Sequence, residues 1–301
     1  MTEWLVVGGT GFIGKHLVQR IVDSFDSATV VDINRCPEKW LQTQQIRYCR
    51  MGVEDVEPQI LLDADRIVYL AGQTDIGVSK SSPRRDFREN VENLLHFLEA
   101  AKLYFTGKAI IYISSKNVYG DGSYLFREVD TLAPMEQYGI TKAMADVMCQ
   151  GYRDSYGLPI TILRNTSTYG PYGRPDLVIS IFIKNAIANK PITIYGRGTK
   201  KYDFNYIDNL IDAIMLAATK EGSGTYNIGS GHATTLEEWA KKIVGLCNSK
   251  SEIKFDKSRE DESKQQLMNI QRAINTLGYL PKVGQNEGLH KTIEWFRSQM
   301  A

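Results

Sequence analysis

The first half of the chain alternates short apolar runs with longer stretches of helical periodicity. The apolar runs predict strands buried on both faces, at residues 5–7, 29–31, 67–70, 109–113 and 160–163. Apolar positions that recur every three or four residues predict helices between them, at about 15–22, 88–102 and 138–156. Strands and helices in alternation predict an α/β fold with a doubly wound parallel sheet.

The chain changes character after Gly170–Pro171. Glycine and proline become frequent and helical patterns become fewer. A helix is predicted over 236–246, after the capping pair Thr234–Thr235, and a final amphipathic helix lies near the C-terminus. The highly charged stretch 256–266 is predicted to be a loop or a disordered lid. We therefore expect a smaller α/β region to follow the first domain.

Composition and charge narrow the possible partners. With 301 residues, of which 43% are hydrophobic and 24% charged, the chain can bury a large core. The net charge of +1 gives no indication of nucleic acid or an anionic membrane as the main partner. The four cysteines and four histidines are dispersed, so we assign no metal and expect reduced thiols. The first strand is entered by Trp4 and no apolar run could span a bilayer, so we expect a cytoplasmic protein without a signal peptide.

A glycine-rich turn follows the first predicted strand. Gly8, Gly11 and Gly14 stand between that strand and the first helix, where such a turn binds a dinucleotide pyrophosphate. The first glycine permits the tight turn, the second lets the backbone approach the pyrophosphate, and the third lets helix and strand pack closely. A plain strand–turn–helix is the alternative, and the position and spacing favour the dinucleotide.

Asp32 ends the second predicted strand, roughly 20 residues beyond the glycines, where a ligand of the adenosine ribose is expected. A carboxylate there would hydrogen-bond the ribose hydroxyls and repel a 2′-phosphate. This favours NAD over NADP, although Arg35 lies close enough to weaken the preference. The alternative interpretation of Asp32 is an ordinary turn residue at the end of a strand.

Tyr138 and Lys142 lie four residues apart on one face of a predicted helix, after Ser114–Ser115 at the end of a predicted strand. An unperturbed phenol has a pKa near ~10, so base chemistry at neutral pH needs a cation beside it. A solvent-facing helical pair is the alternative. Together with the glycine turn, a serine of the Ser114–Ser115 pair, Tyr138 and Lys142 predict hydride transfer to or from a secondary alcohol.

These motifs resemble those of the extended short-chain dehydrogenase/reductase family, and more narrowly its NAD-dependent epimerase/dehydratase branch, which acts on nucleotide sugars. Nearly the whole chain shares the resemblance. Its further motifs are Leu70-Ala71-Gly72-Gln73, Asn90-Val91, Val118-Tyr119-Gly120, Tyr169-Gly170-Pro171, Tyr226-Asn227-Ile228-Gly229, Leu277-Gly278-Tyr279-Leu280-Pro281 and Trp295-Phe296.

The resemblance implies roles for particular residues. Tyr138 is then the general acid/base, Lys142 lowers the pKa of that tyrosine and holds the nicotinamide ribose, and Ser115 hydrogen-bonds the reacting oxygen. The cofactor is NAD, and the implied cofactor-binding residues are Gly8, Gly11, Phe12, Ile13, Gly14, Asp32, Val53, Leu70, Ala71, Gly72, Asn90 and Lys142. The implied substrate-binding residues are Gln73, Ser167, Tyr202 and Arg259.

The resemblance also implies an architecture. We expect a Rossmann-type NAD-binding domain over 1–170, with a return segment over about 203–230. The substrate-binding region would comprise 171–202 and 231–301. Many relatives pair two helices across a two-fold axis, so a homodimer is expected.

The reaction is narrowed by Lys116 and Asn117, which stand where dehydratases and decarboxylases of this branch usually carry a carboxylate. The lack of a carboxylate at these two positions favours a sugar-nucleotide epimerase. It would act at C4 by transient oxidation to a keto-sugar and return of the hydride. A keto-sugar reductase or sugar-alcohol dehydrogenase on the same scaffold is the first alternative. A cofactor-binding regulatory protein without catalysis is the second, although it would be expected to lack Tyr138 or Lys142.

Some positions depart from the family pattern. Tyr202 replaces an arginine that usually grips the diphosphate, and Ser167 replaces an asparagine. Gly52 stands where an adenine-binding aspartate often lies, leaving Val53 and Asp55 to frame the adenine. Arg259 is either a second diphosphate ligand or one more charge in a solvated run. The substrate's head group is therefore a nucleoside diphosphate held unusually, or a different anion.

Overall fold

A computed structural model describes residues 1–122, 125–220, 223–258 and 267–300. Its strands, in chain order, are β1 (Glu3–Val7), β2 (Ser27–Asp32), β3 (Ile46–Arg50), β4 (Arg66–Tyr69), β5 (Ala109–Ser115), β6 (Leu125–Phe126), β7 (Ile160–Asn165), β8 (Ser167–Tyr169), β9 (Ile192–Tyr195), β10 (Lys201–Tyr202), β11 (Phe204–Tyr206), β12 (Thr225–Ile228), β13 (Thr234–Thr235), β14 (Ile253–Asp256) and β15 (Leu267–Met268). Its α-helices are α1 (Phe12–Asp23), α2 (Pro58–Asp63), α3 (Ile76–Ser81), α4 (Pro83–Phe87), α5 (Asn93–Tyr104), α6 (Gln137–Tyr156), α7 (Val178–Ile187), α8 (Ile207–Thr219), α9 (Leu236–Cys247) and α10 (Gln285–Met300).

Seven strands form one parallel sheet in the order β12-β7-β5-β4-β1-β2-β3. The predicted doubly wound α/β fold is therefore confirmed, because the chain runs outward from β1 in both directions. In such sheets, ligands bind where the order reverses, beyond the carboxyl ends of the strands. Here the reversal lies between β1 and β4, directly after the glycine turn.

Both faces of the sheet are covered, as the continuous apolar runs predict. Alternate residues of one strand enter different cores: Val6 packs with Leu17 of α1, whereas Leu5 packs with Leu98 of α5. Helices α1 and α8 contact each other on the first face, and α5 and α6 on the second. This packing fixes the direction in which α6 presents Tyr138 and Lys142.

The second half holds more helix than the sequence pattern predicts, which corrects that expectation. Helix α7 is rich in β-branched residues, which favour strands by propensity. It is helical because Ile179, Phe182 and Ile183, at helical spacing, are buried in the same core as the sheet. Helix α8 belongs to the predicted return segment and leads into β12, the edge strand of the main sheet. The division into two domains stays a prediction.

Two other elements differ only in detail from the predicted ones. The helix predicted over 88–102 begins with a π-helical segment, Arg88–Glu92, and continues as α5. The capping pair behaves as predicted: the Thr235 side chain accepts from the Glu238 backbone N–H, and the two form a capping box. The charged stretch predicted as a loop or lid lies, from residue 259, outside the described residues. Within the described ranges, no helix is both long and apolar enough to cross a membrane.

Candidate active site

The glycine turn between β1 and α1 is built for close approach. Gly8 has a φ of +83°, and a Cβ there would lie 2.6 Å from the Ala71 backbone nitrogen. A Cβ on Gly14 would lie 2.3 Å from the Gly9 carbonyl oxygen, so α1 packs directly against the turn. Helix α1 starts at Phe12 with no acidic residue in its first turn. The N-terminal backbone N–H groups and the helix dipole therefore suit a pyrophosphate.

Asp32, at the carboxyl end of β2, is held by that turn. Its Oδ2 accepts a 2.9 Å hydrogen bond from the Thr10 backbone N–H. Its Oδ1 accepts from the backbone N–H and the side-chain amide of Asn34, both at 3.0 Å. The carboxylate is thus fixed beside the glycines, on a wall of the cavity described next.

A cavity of about 1010 Å³ opens beyond the carboxyl ends of the strands. The structure brings most of the sequence-predicted site residues to its walls, from the glycine turn at one end to Tyr138 at the other. Those that line it are Gly8, Gly11, Phe12, Ile13, Gly14, Asp32, Val53, Leu70, Ala71, Gly72, Ser115, Tyr138 and Ser167.

Four predicted site residues lie behind the cavity wall and bond to the protein itself. The Gln73 amide donates to the Asp75 carbonyl and, at 3.0 Å, to the Ser79 hydroxyl. The Asn90 amide donates to the Gln73 carbonyl at 3.0 Å, which ties the turn after β4 to the helix. Lys142 and Tyr202 are also buried and do not line the cavity. Arg259 lies outside the described residues.

The electrostatics of Tyr138 differ from the expectation that Lys142 lowers its pKa. Burial raises the pKa of Tyr138 to about 12, while a hydrogen bond with Ser115 and the charge of Arg174 act to lower it. The Lys142 ammonium instead donates a 2.7 Å hydrogen bond to the Ile113 carbonyl. Burial lowers the pKa of Lys142 to about 8. The serine and the tyrosine thus line the same cavity, whereas the lysine is bonded to the strand.

A buried ion pair holds the helix that carries Tyr138. Asp146, two turns further along α6, accepts from Arg164 Nε and from a second guanidinium nitrogen, both at 2.9 Å. It also accepts a 2.8 Å hydrogen bond from the Ser114 hydroxyl. These contacts join α6 to β7 and to the strand that ends in Ser115, so the phenol and the serine are positioned together.

Three further residues of the cavity were not assigned a ligand role from sequence. Arg174 donates at 2.9 Å to Asp75 Oδ2 and also pairs with Asp176. Lys116 and Asn165 line the same space. Lys116 directly follows Ser115 and Asn165 ends a buried strand, and the sequence carries no other signal for these two residues. Which side chains face the cavity depends on how the strands pair.

The residues present fit a dinucleotide. The Asn165 Oδ1 is buried and has no hydrogen-bond partner among the described residues, although it lies on the cavity wall. Such an orphan acceptor calls for a donor from a ligand. The glycine cradle has the shape that a pyrophosphate needs, the Asp32 carboxylate would suit ribose hydroxyls, and Asn165 offers an acceptor. In the described part of the chain, no group of three or more His, Cys, Asp or Glu is arranged to hold a metal ion.

Known proteins share this architecture over the whole chain. A protein from Arabidopsis thaliana, UDP-glucuronic acid decarboxylase 5, is 30% identical over 98% of this chain and 89% of its own length. The structure of UDP-glucuronic acid 4-epimerase from Bacillus cereus, in complex with UDP-glucuronic acid and NAD, superposes with a TM-score of 0.91 at 27% identity, covering 99% of this chain and 100% of that one. UDP-N-acetylglucosamine 4-epimerase from Methanobrevibacter ruminantium M1, in complex with UDP-N-acetylmuramic acid, gives a TM-score of 0.92 at 27% identity and covers 100% of both chains.

The family assignment rests on sequence as well as on the fold. The family described as NAD dependent epimerase/dehydratase matches residues 4–229, which include the glycine turn, Ser115, Tyr138 and Lys142. This chain therefore belongs to the NAD-dependent epimerase/dehydratase family, as its motifs predict.

Proposed function

We propose that this protein is an NAD-dependent nucleotide-sugar epimerase that inverts C4 of the sugar. The observation that carries the proposal is one cavity whose walls carry the dinucleotide turn and Asp32 together with Ser115 and Tyr138. Two solved structures with which the chain shares its fold over its full length are described as UDP-sugar 4-epimerases. A UDP-sugar is accordingly the proposed substrate.

Tyr138 is the proposed general acid/base. Its phenol is protonated at neutral pH, because burial raises its pKa. It must therefore first lose its own proton to water in the open cavity. The resulting phenolate takes the C4 hydroxyl proton as hydride leaves the same carbon, and it gives that proton back when the hydride returns. Ser115, which lies beside the phenol on the cavity wall, is placed to hydrogen-bond the reacting oxygen. The charge of Arg174 favours the phenolate when it forms.

Lys142 is proposed to bind the cofactor and also to hold helix α6 against strand β5. Its ammonium is anchored on the Ile113 carbonyl, one residue before the serine pair of the strand. The ammonium lies behind the cavity wall and over the Tyr112 ring, 4.5 Å from its centroid, so its side chain must turn toward the cavity to hydrogen-bond a ribose hydroxyl. Bound NAD supplies the hydride acceptor for the oxidation and the hydride donor for the reduction of the keto-sugar. A return of the hydride to the opposite face inverts C4 without net redox change.

Decarboxylation is the activity named for the Arabidopsis relative, but the proposed site argues for epimerisation. The residues after Ser115 are Lys116 and Asn117, which are not carboxylates, and both line the cavity. Burial lowers the pKa of Lys116 to about 8, which leaves it mainly cationic at neutral pH. Neither side chain replaces the acidic group expected of a decarboxylase or a dehydratase.

The test is an assay of UDP-glucose and UDP-glucuronic acid with the Tyr138→Phe variant beside the wild type. Substrate and C4 epimer are resolved by chromatography, and NADH is followed by absorbance. We expect epimer without net NADH from the wild type, and a rate lower by about 10²–10⁴-fold from the variant. NAD should bind both proteins equally. Stoichiometric NADH would indicate a dehydrogenase instead, and unchanged turnover would exclude Tyr138 as the acid/base.

We further propose that the protein is a cytoplasmic homodimer. Helices α5 and α6 contact each other and expose apolar side chains, among them Leu95, Met144 and Val147, the last 58% exposed. A second copy would cover this face by packing the same two helices. The four cysteines are free, as in a reducing compartment. Sedimentation should show a dimer for the wild type and a monomer for Val147→Asp; a wild-type monomer would exclude the arrangement.

A further inference from the structure

Lys116 occupies a distinctive place in the cavity. It is the first residue of a short 3₁₀ turn, Lys116–Val118, that begins directly after Ser115. The residue is half-buried and lines the cavity together with Ser115 and Tyr138. Lys116 is therefore tethered beside Ser115, in the part of the cavity where the proposed reaction takes place.

The ammonium of Lys116 has no counter-ion within the described residues. No salt bridge or hydrogen bond of its Nζ is found there, and its nearest aromatic contact is the Tyr202 ring, 5.9 Å from the ring centroid. The charge of Asp203 acts on it from further away. That carboxylate is already engaged, because it accepts from the Ser230 backbone N–H at 3.0 Å and from the Ser230 hydroxyl at 2.6 Å.

Two of the three arginines that line the same cavity are paired with carboxylates of the described residues. Arg174 pairs with Asp75 at 2.9 Å and with Asp176, and Arg85 pairs with Glu89 at 2.7 Å. Keeping a half-buried ammonium without an acidic partner is unfavourable, and burial accordingly lowers the pKa of Lys116. A ligand anion beside it would remove that cost. Lys116 is thus a cationic position of the cavity with no carboxylate of the described residues within salt-bridge distance.

We propose that Lys116 is a specificity-determining residue that binds a carboxylate carried on the sugar ring, so that the site prefers nucleotide uronates over neutral nucleotide sugars. The inference deepens the proposed function and rests on it. A sugar carboxylate fits better than the diphosphate, because Lys116 directly follows Ser115, which shares the cavity wall with Tyr138. The reacting ring lies at that serine, whereas the nucleotide extends away from it.

The test compares two UDP-sugars that differ in one group. Titration calorimetry measures the binding of UDP-glucuronic acid and UDP-glucose to NAD-loaded protein. A Tyr138→Phe background prevents turnover during the titration. The variants are Lys116→Met and Lys116→Arg, and the matched control is Lys201→Met, an exposed lysine that does not line the cavity.

With Lys116 intact, we expect UDP-glucuronic acid to bind about tenfold or more tightly than UDP-glucose, as one charged hydrogen bond allows. Lys116→Met should weaken UDP-glucuronic acid about ten- to a hundredfold and UDP-glucose by less than about threefold. Lys116→Arg should keep most of the preference, and Lys201→Met should leave both affinities unchanged. The Met variant should fold normally, because it removes a charge that burial disfavours.

Three outcomes would overturn the inference. Equal losses for both sugars in Lys116→Met would place the lysine on the shared diphosphate or nucleoside. Unchanged affinities would show that it binds no part of the ligand. A protein that binds NAD but neither UDP-sugar would overturn the proposed function, and this inference with it. The first two results leave the proposed epimerase intact, so the two failures are distinguishable.

Discussion

Replacing Asp146 by alanine tests the idea that a buried ion pair positions the catalytic helix. The Arg164 and Asp146 side chains are 3% and 0% exposed, and two 2.9 Å hydrogen bonds join them. The substitution leaves the guanidinium buried without a counter-charge and the Ser114 hydroxyl without its acceptor. Breaking one side of a buried pair costs about 3–5 kcal/mol of unfolding free energy. A loss of this size is a large fraction of a typical domain's stability.

The assay is chemical denaturation followed by circular dichroism, with epimerase turnover measured well below the transition. The matched control is Asp154→Ala on the same helix, which removes an exposed pair with Arg153 and should leave the unfolding midpoint nearly unchanged. Turnover should fall in Asp146→Ala only, because Asp146 joins α6 to β7 through Arg164 and to the strand that ends in Ser115 through the Ser114 hydroxyl. The double variant Asp146→Leu/Arg164→Met removes both charges and should recover part of the stability. Equal midpoints for Asp146→Ala and Asp154→Ala would refute the reasoning.

Three other predictions concern the cofactor end of the cavity and the buried lysine. Gly14→Ala should abolish NAD binding or folding, because its Cβ would lie 2.3 Å from the Gly9 carbonyl oxygen; Gly151→Ala, with no atom within 4 Å, should bind NAD normally in calorimetry. Asp32→Asn should weaken NAD binding by about ten- to a hundredfold and reduce the preference over NADP, as one charged hydrogen bond is lost; equal NAD affinity would show that the carboxylate does not contact the ribose. The pKa of Lys142 is lowered to about 8 in the folded state, so the native state binds fewer protons than the unfolded one between about pH 8 and pH 10. The free energy of unfolding of the wild type should therefore rise over this pH range relative to that of Lys142→Met. If the two proteins differ in thermal midpoint by the same amount at pH 7 and at pH 9.5, the prediction is contradicted.

Helices in the second half show where sequence patterns were insufficient. Helix α7 consists largely of residues that favour strands, and its helical state depends on burial against the sheet core. The π-helical start at Arg88–Glu92 likewise has no signal in the apolar periodicity. Such choices are made by packing between segments that are distant in the chain, which local propensity does not contain.

Single residues of the candidate site also make contacts that the sequence patterns do not predict. Lys142 was expected beside the phenol, yet its ammonium bonds to the Ile113 carbonyl, and burial rather than a neighbouring cation dominates the pKa of Tyr138. Gln73 and Asn90 belong to the predicted motifs but bond to the protein behind the cavity wall. Desolvation and hydrogen-bond partners depend on the whole fold, so spacing in the chain does not reveal them.

What the sequence by itself determined is the alternation that forms a parallel sheet, the glycine turn with Asp32, and the order of Ser115, Tyr138 and Lys142. Each is a local pattern whose meaning depends on neighbours within a few residues or on the period of a helix or strand. Only the tertiary structure decided that Lys116 and Asn165 face the same cavity, that Arg174 is neutralised while Lys116 is not, and that Asp146 and Arg164 hold the catalytic helix. Those facts arise where the carboxyl ends of parallel strands meet, and side chains remote in sequence become neighbours only once the sheet has formed.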